Sequence, residues 1–299
     1  MVVHSDDLRA QDVRPLSCNG TTLKFNATNG NVASLAFDDG EPWSRLVELR
    51  YLTFRDEGKK GMVCNKTCPN PIPGAWAPAL LSFKASDDGC HATLELGFNE
   101  TLSGKYGAPS AVTTEYTIDP SSKKRVNVTV TWHNKTATRL QEGMSVFSRP
   151  EQRRGYRWEM DKLGEWTAVS NVTGGGELYK AAVWSGIRYS SLEGGCPSLR
   201  VETLDAALVC PVLNKNAQRE LDEESSLAQA CFKYDIPSPR DPGLQQPLTD
   251  TMLDGMAINL HQNFFGISGF PQWFPFGVGD RYQKDDEHLQ FRFAIVEEE

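Results

Sequence analysis

One segment near the end of the chain combines imidazole, amide and aromatic side chains in a way that suits sugar recognition. His261 and Asn263 stand two positions apart, and Gln272 and Trp273 follow within a run of Gly, Pro and Phe. Aromatic rings can stack on a sugar face while amide and imidazole groups hydrogen-bond its hydroxyls. Together with Arg292 on the last strand, these residues predict one wall of a carbohydrate-binding cleft. The sequence leaves open the alternative of a hydrophobic plug that closes a β-sandwich.

A second candidate is the carboxyl group of Glu142, which follows a strongly alternating strand and has mostly uncharged neighbours. Glycoside hydrolysis needs two carboxylates placed in space, and sequence spacing cannot establish such a pair. The simpler interpretation of Glu142 is an ion pair with Arg139. We therefore group Arg139 and Glu142 with the carbohydrate-binding residues and assign no catalytic residue.

Other kinds of chemistry have weaker support. A polysaccharide lyase would need a His or Tyr base near a charge-neutralising Asn or Arg, and the residues that could supply this set are His261, Asn263, Arg292 and Tyr282. The five histidines are scattered and form no i,i+4 pair, so we predict no metal site in this chain. Phosphate-binding loops, nucleophile elbows and HExxH motifs do not occur in the sequence.

Seven Asn-x-Thr sequons lie within the first 173 residues, and none has Pro at its middle position. Such sequons accept N-linked glycans only in a secretory lumen and on exposed chain. The cluster predicts a glycoprotein that is secreted or resides in the lumen of the secretory pathway. The predicted glycosylation sites are Asn19, Asn26, Asn65, Asn99, Asn127, Asn134 and Asn171.

Cysteine content and charge agree with this compartment. Seven cysteines allow three disulfides and one free thiol, and the sequence leaves their connectivity open. The formal net charge of -8 and the lack of Lys/Arg clusters predict no nucleic-acid or anionic-membrane partner. No stretch is apolar enough for a signal peptide or a membrane span. We therefore expect this secretory chain to be a piece of a longer protein.

Period-2 alternation of apolar and polar residues dominates the sequence and predicts half-buried strands. The clearest runs are 22–27, 91–98, 112–118, 126–132 and 289–295. Asn-Gly, Asp-Gly and Gly-Gly turns separate many strands. Residues 216–232 predict a short helix or an ordered loop, and 237–247 a Pro-rich connector. The fold class is all-β, a large antiparallel β-sandwich with little helix.

Several segments, in order, resemble an uncharacterised family related to glycoside hydrolase family 38, the α-mannosidases. They span nearly the whole chain: 29–35, 49–54, 105–109, 134–142, 158, 162–164, 202–209, 261–273 and 291–293. One departure is the run 266–271, Gly-Ile-Ser-Gly-Phe-Pro, where the family has Gly-Thr-Asn-Phe-Pro. Contacts that the missing Thr and Asn would make are not expected here.

The resemblance implies a specific architecture. Family members carry an N-terminal α/β barrel with the catalytic carboxylates and zinc, followed by a supersandwich of the galactose-mutarotase type. Residues 1–299 would be a single β-sandwich region without that barrel. No position of this chain matches the zinc ligands or the nucleophilic Asp, so no cofactor is expected here, and zinc would belong to the missing barrel.

Three functions follow from these observations. The first is a non-catalytic, carbohydrate-contacting module that forms a wall of the substrate cleft and packs on its own N-terminal catalytic barrel. The second is a secreted lectin-like protein. The third is a stand-alone polysaccharide lyase or mutarotase of the same sandwich type. The expected partners are carbohydrate and the barrel.

Overall fold

The structure is a computed structural model that describes residues 2–4, 13–38, 40–53, 72, 74–121, 124–136, 142–171, 182–214, 249–263 and 288–298. Strands take 59% of the described residues, which is more than twice the share of a typical globular protein. Short helical turns occur at Thr101–Lys105, Val169–Asn171 and Asp250–Met252. The prediction of a β fold with little helix is confirmed.

Strands within the described residues are numbered here in chain order. They are β1 (Val2–His4), β2 (Leu16–Cys18), β3 (Thr21–Phe25), β4 (Val32–Phe37), β5 (Trp43–Ser44), β6 (Glu48–Thr53), β7 (Gly74–Trp76), β8 (Ala79–Ala85), β9 (His91–Gly97), β10 (Ala111–Ile118), β11 (Arg125–His133), β12 (Glu142–Ser148), β13 (Tyr156–Lys162), β14 (Glu165–Ala168), β15 (Gly186–Ser191), β16 (Ser198–Thr203), β17 (Val209–Leu213), β18 (Leu253–Asn263) and β19 (Gln290–Glu298).

These strands form three sheets, and every pair of named neighbours is antiparallel. The largest has ten strands in the order β1-β8-β9-β10-β11-β19-β16-β15-β13-β14. A five-stranded sheet has the order β17-β18-β12-β6-β7, and a four-stranded sheet the order β2-β3-β4-β5. In the ten-stranded sheet, β19 lies between β11 and β16 and joins strands from the first and second halves of the chain.

The ten-stranded sheet has an inner and an outer face because alternate residues of a strand point to opposite sides. On β11 the residues Val126, Val128, Val130 and Trp132 are buried, and the residues between them are half-buried. The inner face holds the apolar set, as the alternation in the sequence predicts. The outer face carries polar and charged side chains.

Both smaller sheets pack on the inner face and form the second layer of the sandwich. Phe25 of the four-stranded sheet contacts Phe83 and Tyr116 of the large sheet, with ring centroids 5.7 and 4.9 Å apart. Trp132 of the large sheet contacts His261 of the five-stranded sheet at 5.7 Å. Packing between two sheet faces explains why these aromatic side chains are almost fully buried.

A disulfide joins Cys18 of β2 to Cys90, which precedes β9, and so ties the four-stranded sheet to the ten-stranded sheet. Cys210 is disulfide-bonded as well. Within the described part of the chain, Cys196 is a free, exposed thiol. These observations fit the prediction of several bridges and a remaining thiol.

Several expectations lie outside the described residues: the helix or loop at 216–232, the connector at 237–247, and the cysteines at 64, 68 and 231. A search of the helices that the structure describes finds no candidate for a membrane span. The assignment of 1–299 to a single sandwich region stays a prediction.

Candidate functional site

Glu142 lies inside the sandwich rather than on a cleft. It is the first residue of β12 and has no exposed surface. Its Oε1 accepts a hydrogen bond from the Lys135 Nζ at 2.6 Å, and its Oε2 accepts one from the Tyr51 hydroxyl. Lys135 is equally buried. Glu142 is therefore ion-paired, but with Lys135; the pair with Arg139 stays a prediction, because Arg139 lies outside the described residues.

The Tyr51 hydroxyl also contacts the carbonyl oxygen of Tyr106 at 2.5 Å. Burial, and then the charge of Glu142, raise the pKa of Tyr51 well above its ordinary value. The phenol therefore stays protonated at neutral pH and acts as a donor to the carboxylate. We call Tyr51, Lys135, Glu142 and His261 the buried polar cluster.

His261 completes the buried polar cluster from β18, where it pairs in register with Met144 of β12. Its ring packs edge-on against Trp132, and its side chain is almost fully buried. Burial, and then the charge of Lys135, lower the pKa of His261 well below its ordinary value. The imidazole is therefore neutral at physiological pH and part of the core.

Arg292 lies on the other side of the ten-stranded sheet. Its neighbour Phe291 contacts Trp132 on the inner face, so Arg292 points to the outer face. There its Nε donates to Asp205 at 2.8 Å, and its side chain is more than half exposed. The structure does not bring Arg292 beside His261, because one is on the outer face and the other is in the core. A sugar contact by this pair stays a prediction, and this placement does not favour it.

Of the remaining residues that were predicted to contact sugar, one lies at the end of a strand and the others lie outside the described residues. Asn263 is the last residue of β18, and its backbone pairs with Glu142. Residues 272, 273, 139 and 282 lie outside the described residues. The choice between a cleft wall and a plug for the segment 264–275 therefore stays open.

The described sequons are accessible. Five of the six are exposed, Asn127 is half-buried, and Asn65 lies outside the described residues. The exposed five are Asn19, Asn26, Asn99, Asn134 and Asn171. None of the six is in the core, as glycosylation requires. Glycosylation and passage through a secretory lumen stay predictions.

A different group of side chains lies on the outer face where β13, β14 and β15 meet. Glu159 of β13 accepts hydrogen bonds from Arg188 at 2.6 Å, from Arg157 at 2.7 Å and from the Ser190 hydroxyl at 2.8 Å. The guanidinium carbon of Arg188 lies 4.6 Å from the centre of the Trp166 ring, a cation–π distance. Together these contacts hold an aromatic ring and a guanidinium in a fixed stack.

A second tryptophan, Trp184, lies on the segment that precedes β15. The Trp184 backbone N–H donates to the carbonyl of Asp161 at 3.1 Å, and Asp161 is the cross-strand partner of Trp166. At the usual spacing of strands, the two tryptophan backbones are about 10 Å apart. The Trp184 side chain is 75% exposed. We call Trp166, Trp184, Glu159, Asp161 and Arg188 the tryptophan–arginine platform.

Polar contacts make the platform rigid. Asp161 accepts hydrogen bonds from the Ser185 hydroxyl and from the Gly164 N–H, the latter at 2.6 Å. Burial by itself would raise the pKa of Glu159, but the hydrogen bonds from Arg188 and its other donors outweigh burial and hold that pKa below its ordinary value. Glu159 is therefore an ionised acceptor that orients the guanidinium beside it.

The described residues contain no group of three or more His, Cys, Asp or Glu side chains that could hold a metal ion. The platform instead offers indole surface and guanidinium donors, while its two carboxylates are buried and already accept hydrogen bonds. These groups suit non-covalent binding of a polar ring that also has an apolar face.

No protein-family model and no curated protein sequence matches the chain. Among solved structures, the chain is similar to a putative aldose 1-epimerase (b2544) from Escherichia coli K12, with 12% identity and a TM-score of 0.47 over 95% of this chain and 98% of that chain. It is also similar to the GalM/aldose epimerase homologue from C. elegans, with 9% identity and a TM-score of 0.45 over 95% and 98% of the two chains.

These structural neighbours are carbohydrate-related proteins of the aldose 1-epimerase type. Both TM-scores lie below 0.5, so the likeness carries no argument about a site or a reaction in this chain. The relation to family 38 that the sequence resemblance implies gains no support from the comparisons.

The sequence analysis missed the platform. The indication was present in β13, where Arg157, Glu159 and Asp161 alternate with Trp158 and Met160. Such alternation predicts which face is polar, but it does not predict which strands become neighbours. The contacts of Trp166 and Trp184 depend on that pairing.

Proposed function

We propose that this protein is a carbohydrate-binding β-sandwich that holds saccharides on the tryptophan–arginine platform and performs no chemistry on them. The Trp166–Arg188 stack carries this proposal, together with the exposed side chain of Trp184, whose backbone is hydrogen-bonded to the same strand β13. Tryptophan is enriched at binding surfaces because its large apolar ring also has a polar N–H.

A sugar ring matches the two kinds of surface that the platform presents. Its C–H face can stack on the indole of Trp184, and its hydroxyl oxygens can accept hydrogen bonds from Arg188. Because Glu159 and Asp161 are already oriented by other groups, little side-chain entropy is lost when the ligand binds.

Binding is favoured over catalysis by the state of the acidic and basic groups. Glu159 has a lowered pKa and is a poor proton acceptor. Glu142 and His261 are buried inside the sandwich. A mutarotase or lyase that used them would need a substrate path into the core.

The sequence resemblance supports a more specific version of the proposal. In this version the sandwich lies beside an α/β barrel of a family-38-like glycoside hydrolase and forms a wall of its substrate cleft.

The exposed sequons support a secreted or lumenal glycoprotein. Secretion by a eukaryotic host and occupancy of the sequons, measured by mass spectrometry, would test the compartment.

The direct test is a binding screen with the Trp184→Ala variant. Affinity electrophoresis against a panel of neutral and acidic polysaccharides identifies ligands, and isothermal titration measures Kd. Losing a stacked indole should weaken binding about 10- to 100-fold, the equivalent of ~1.5–3 kcal/mol of aromatic burial. Leu192→Ala, another exposed apolar side chain, is the control and should bind normally.

Two outcomes would contradict the proposal. One is that no polysaccharide in the panel binds, or that Trp184→Ala binds like the unmodified protein. The other is interconversion of α- and β-anomers, followed by polarimetry, that disappears in Glu142→Gln while the variant remains folded. The second outcome would show that the buried polar cluster is an active site.

A further inference from the structure

Arginines form a line across the outer face of the ten-stranded sheet. Arg188 of β15 is the cross-strand partner of Arg200 of β16, Arg200 is the partner of Val296 of β19, and Val296 is the partner of Arg125 of β11. Three strand spacings make this line about 15 Å long. We call Arg188, Arg200 and Arg125 the arginine row. It begins at the tryptophan–arginine platform, because Arg188 belongs to both.

The row has more hydrogen-bond donors than its carboxylate neighbours accept. Arg188 directs its Nε and Nη2 to Glu159. Arg200 directs its Nη1 to Glu298 at 2.5 Å and its Nη2 to Glu202. The Nε–H of Arg200 meets no acceptor within the described part of the chain, but it is buried, so the donors left for a ligand are Nη hydrogens. Since each guanidinium has five N–H donors, the row can accommodate additional acceptor oxygens.

The charge around the row also differs from that of the chain as a whole. Like charges that face each other across strands are destabilising, and Arg188 and Arg200 are such a pair. On this face four arginines contact three carboxylates, and with Asp161 of the platform the positive and negative charges are equal in number, whereas the chain as a whole carries -8. The contacting groups are Arg125, Arg157, Arg188, Arg200, Glu159, Glu202 and Glu298.

The arginine side chains of the row are partly buried. The side chains of Arg125, Arg188 and Arg200 are 25, 25 and 28% exposed, so each of them is partly open to solvent. Fixed guanidinium groups bind carboxylates in the bidentate geometry that makes Arg–carboxylate pairs strong. A neutral sugar would use the donors but not the charge.

We propose that the arginine row binds the carboxylates of a uronic-acid-containing saccharide whose adjoining ring stacks on the tryptophan–arginine platform. The inference rests on the proposed function and names the class of its ligand. The row runs across the strands, so successive acidic sugars along one chain meet successive arginines. The platform at one end fixes the position of the saccharide chain.

A glycosylation sequon lies beside the row, and the binding measurements must exclude the effect of a glycan at this position. Asn127 of β11 is on the same face, and its Oδ1 accepts a hydrogen bond from Arg125 Nε at 3.0 Å. A glycan on Asn127 would cover part of the row. Thr129→Ala removes the sequon and keeps the Asn127 side chain with its hydrogen bond, so we choose this variant as the background for binding measurements.

The experiment compares three probes by isothermal titration: polygalacturonate, the same polymer after reduction of its carboxyl groups, and dextran sulfate. We expect polygalacturonate to bind at least tenfold more tightly than the reduced polymer. Arg188→Gln and Arg200→Gln should each weaken its binding roughly tenfold. Arg292→Gln, an exposed arginine on the same face that is paired with Asp205, should bind normally. Thermal unfolding of every variant verifies that it is folded.

The outcomes separate the inference from the proposed function. Equal binding of the acidic and reduced polymers, with loss of both in Trp184→Ala, would overturn the inference and leave the proposed function standing. Equal or tighter binding of dextran sulfate would overturn the assignment to carboxylates. Unchanged affinity in both Arg188→Gln and Arg200→Gln would overturn the arginine row as the site. Failure of every polysaccharide to bind would overturn the proposed function and the inference together.

Discussion

Replacing Glu142 with Gln tests whether the buried polar cluster stabilises the fold. Gln has nearly the same shape and keeps an oxygen that can accept from the Tyr51 hydroxyl, so the substitution removes mainly the negative charge. The Lys135 ammonium, 3% exposed and 2.6 Å from the carboxylate, is then buried without that counter-charge. Removing one partner of a buried ion pair typically costs 3–5 kcal/mol, that is, about 3 kcal/mol or more here.

Urea unfolding at neutral pH, followed by Trp fluorescence, measures this loss. Lys135→Met should lose a similar amount, because it leaves the carboxylate buried. The double variant should lose clearly less than the sum of the two single variants, since an uncharged pair of similar size needs no counter-charge. Asp205→Asn breaks the exposed pair with Arg292 and should leave the free energy of unfolding almost unchanged.

The reasoning about this cluster is refuted if Glu142→Gln loses less than ~1 kcal/mol, or if the two single effects add without coupling. Either result would mean that the two charges are solvated in the native protein. Glu142 would then again become a candidate for an accessible acid.

Two further predictions concern pH and the disulfide. The fold holds His261 neutral, so below the ordinary histidine pKa of 6.5 the unfolded state binds more protons than the native state. The free energy of unfolding should therefore fall by up to ~1.4 kcal/mol per pH unit as the pH drops below that value. Urea titrations from pH 7.5 to 5 should show a weaker dependence of this free energy on pH in His261→Gln, but not in the exposed His288→Gln. Cys18 and Cys90 are 72 residues apart. For a loop of this length, loop-closure entropy predicts that the free energy of unfolding falls by about 4 kcal/mol when both cysteines are replaced by Ala. A fall of less than ~1 kcal/mol in a reversible denaturant titration would contradict the assignment of this bridge as a structural link.

Strands could be predicted from the sequence wherever one face of the strand is exposed to solvent. The alternating runs at 112–118 and 126–132 became β10 and β11, paired with each other along their whole length. Strand β12 could not be recognised this way, because all its residues from Glu142 to Ser148 are buried. A strand that is covered on both sides has no alternation to detect.

The site was harder to predict than the fold, because its contacts join residues that are distant in the sequence. Glu142 was expected to pair with a charge three positions away, and Lys135, seven positions away, is the described partner. Arg188 reaches Glu159 only because β13 and β15 are neighbours. The grouping of His261 with Arg292 assumed a common face, whereas the two residues lie on opposite sides of the large sheet. Sheet order supplies this information, and local patterns do not contain it.

The position of β19 in the ten-stranded sheet has a consequence for how the protein is synthesised. Ribosomes deliver the chain from its N-terminus, so β8 to β11 and β13 to β16 emerge before residues 290–298, the segment that must lie between them. Until then, β11 and β16 present unpaired edges, which are the places where nascent chains pair with one another. Completing the sheet also requires contacts between residues far apart in sequence, which are slow to form. The edges of β11 and β16 therefore stay open during translation until the segment 290–298 has been synthesised, and a chain that stops before this segment leaves both of them exposed.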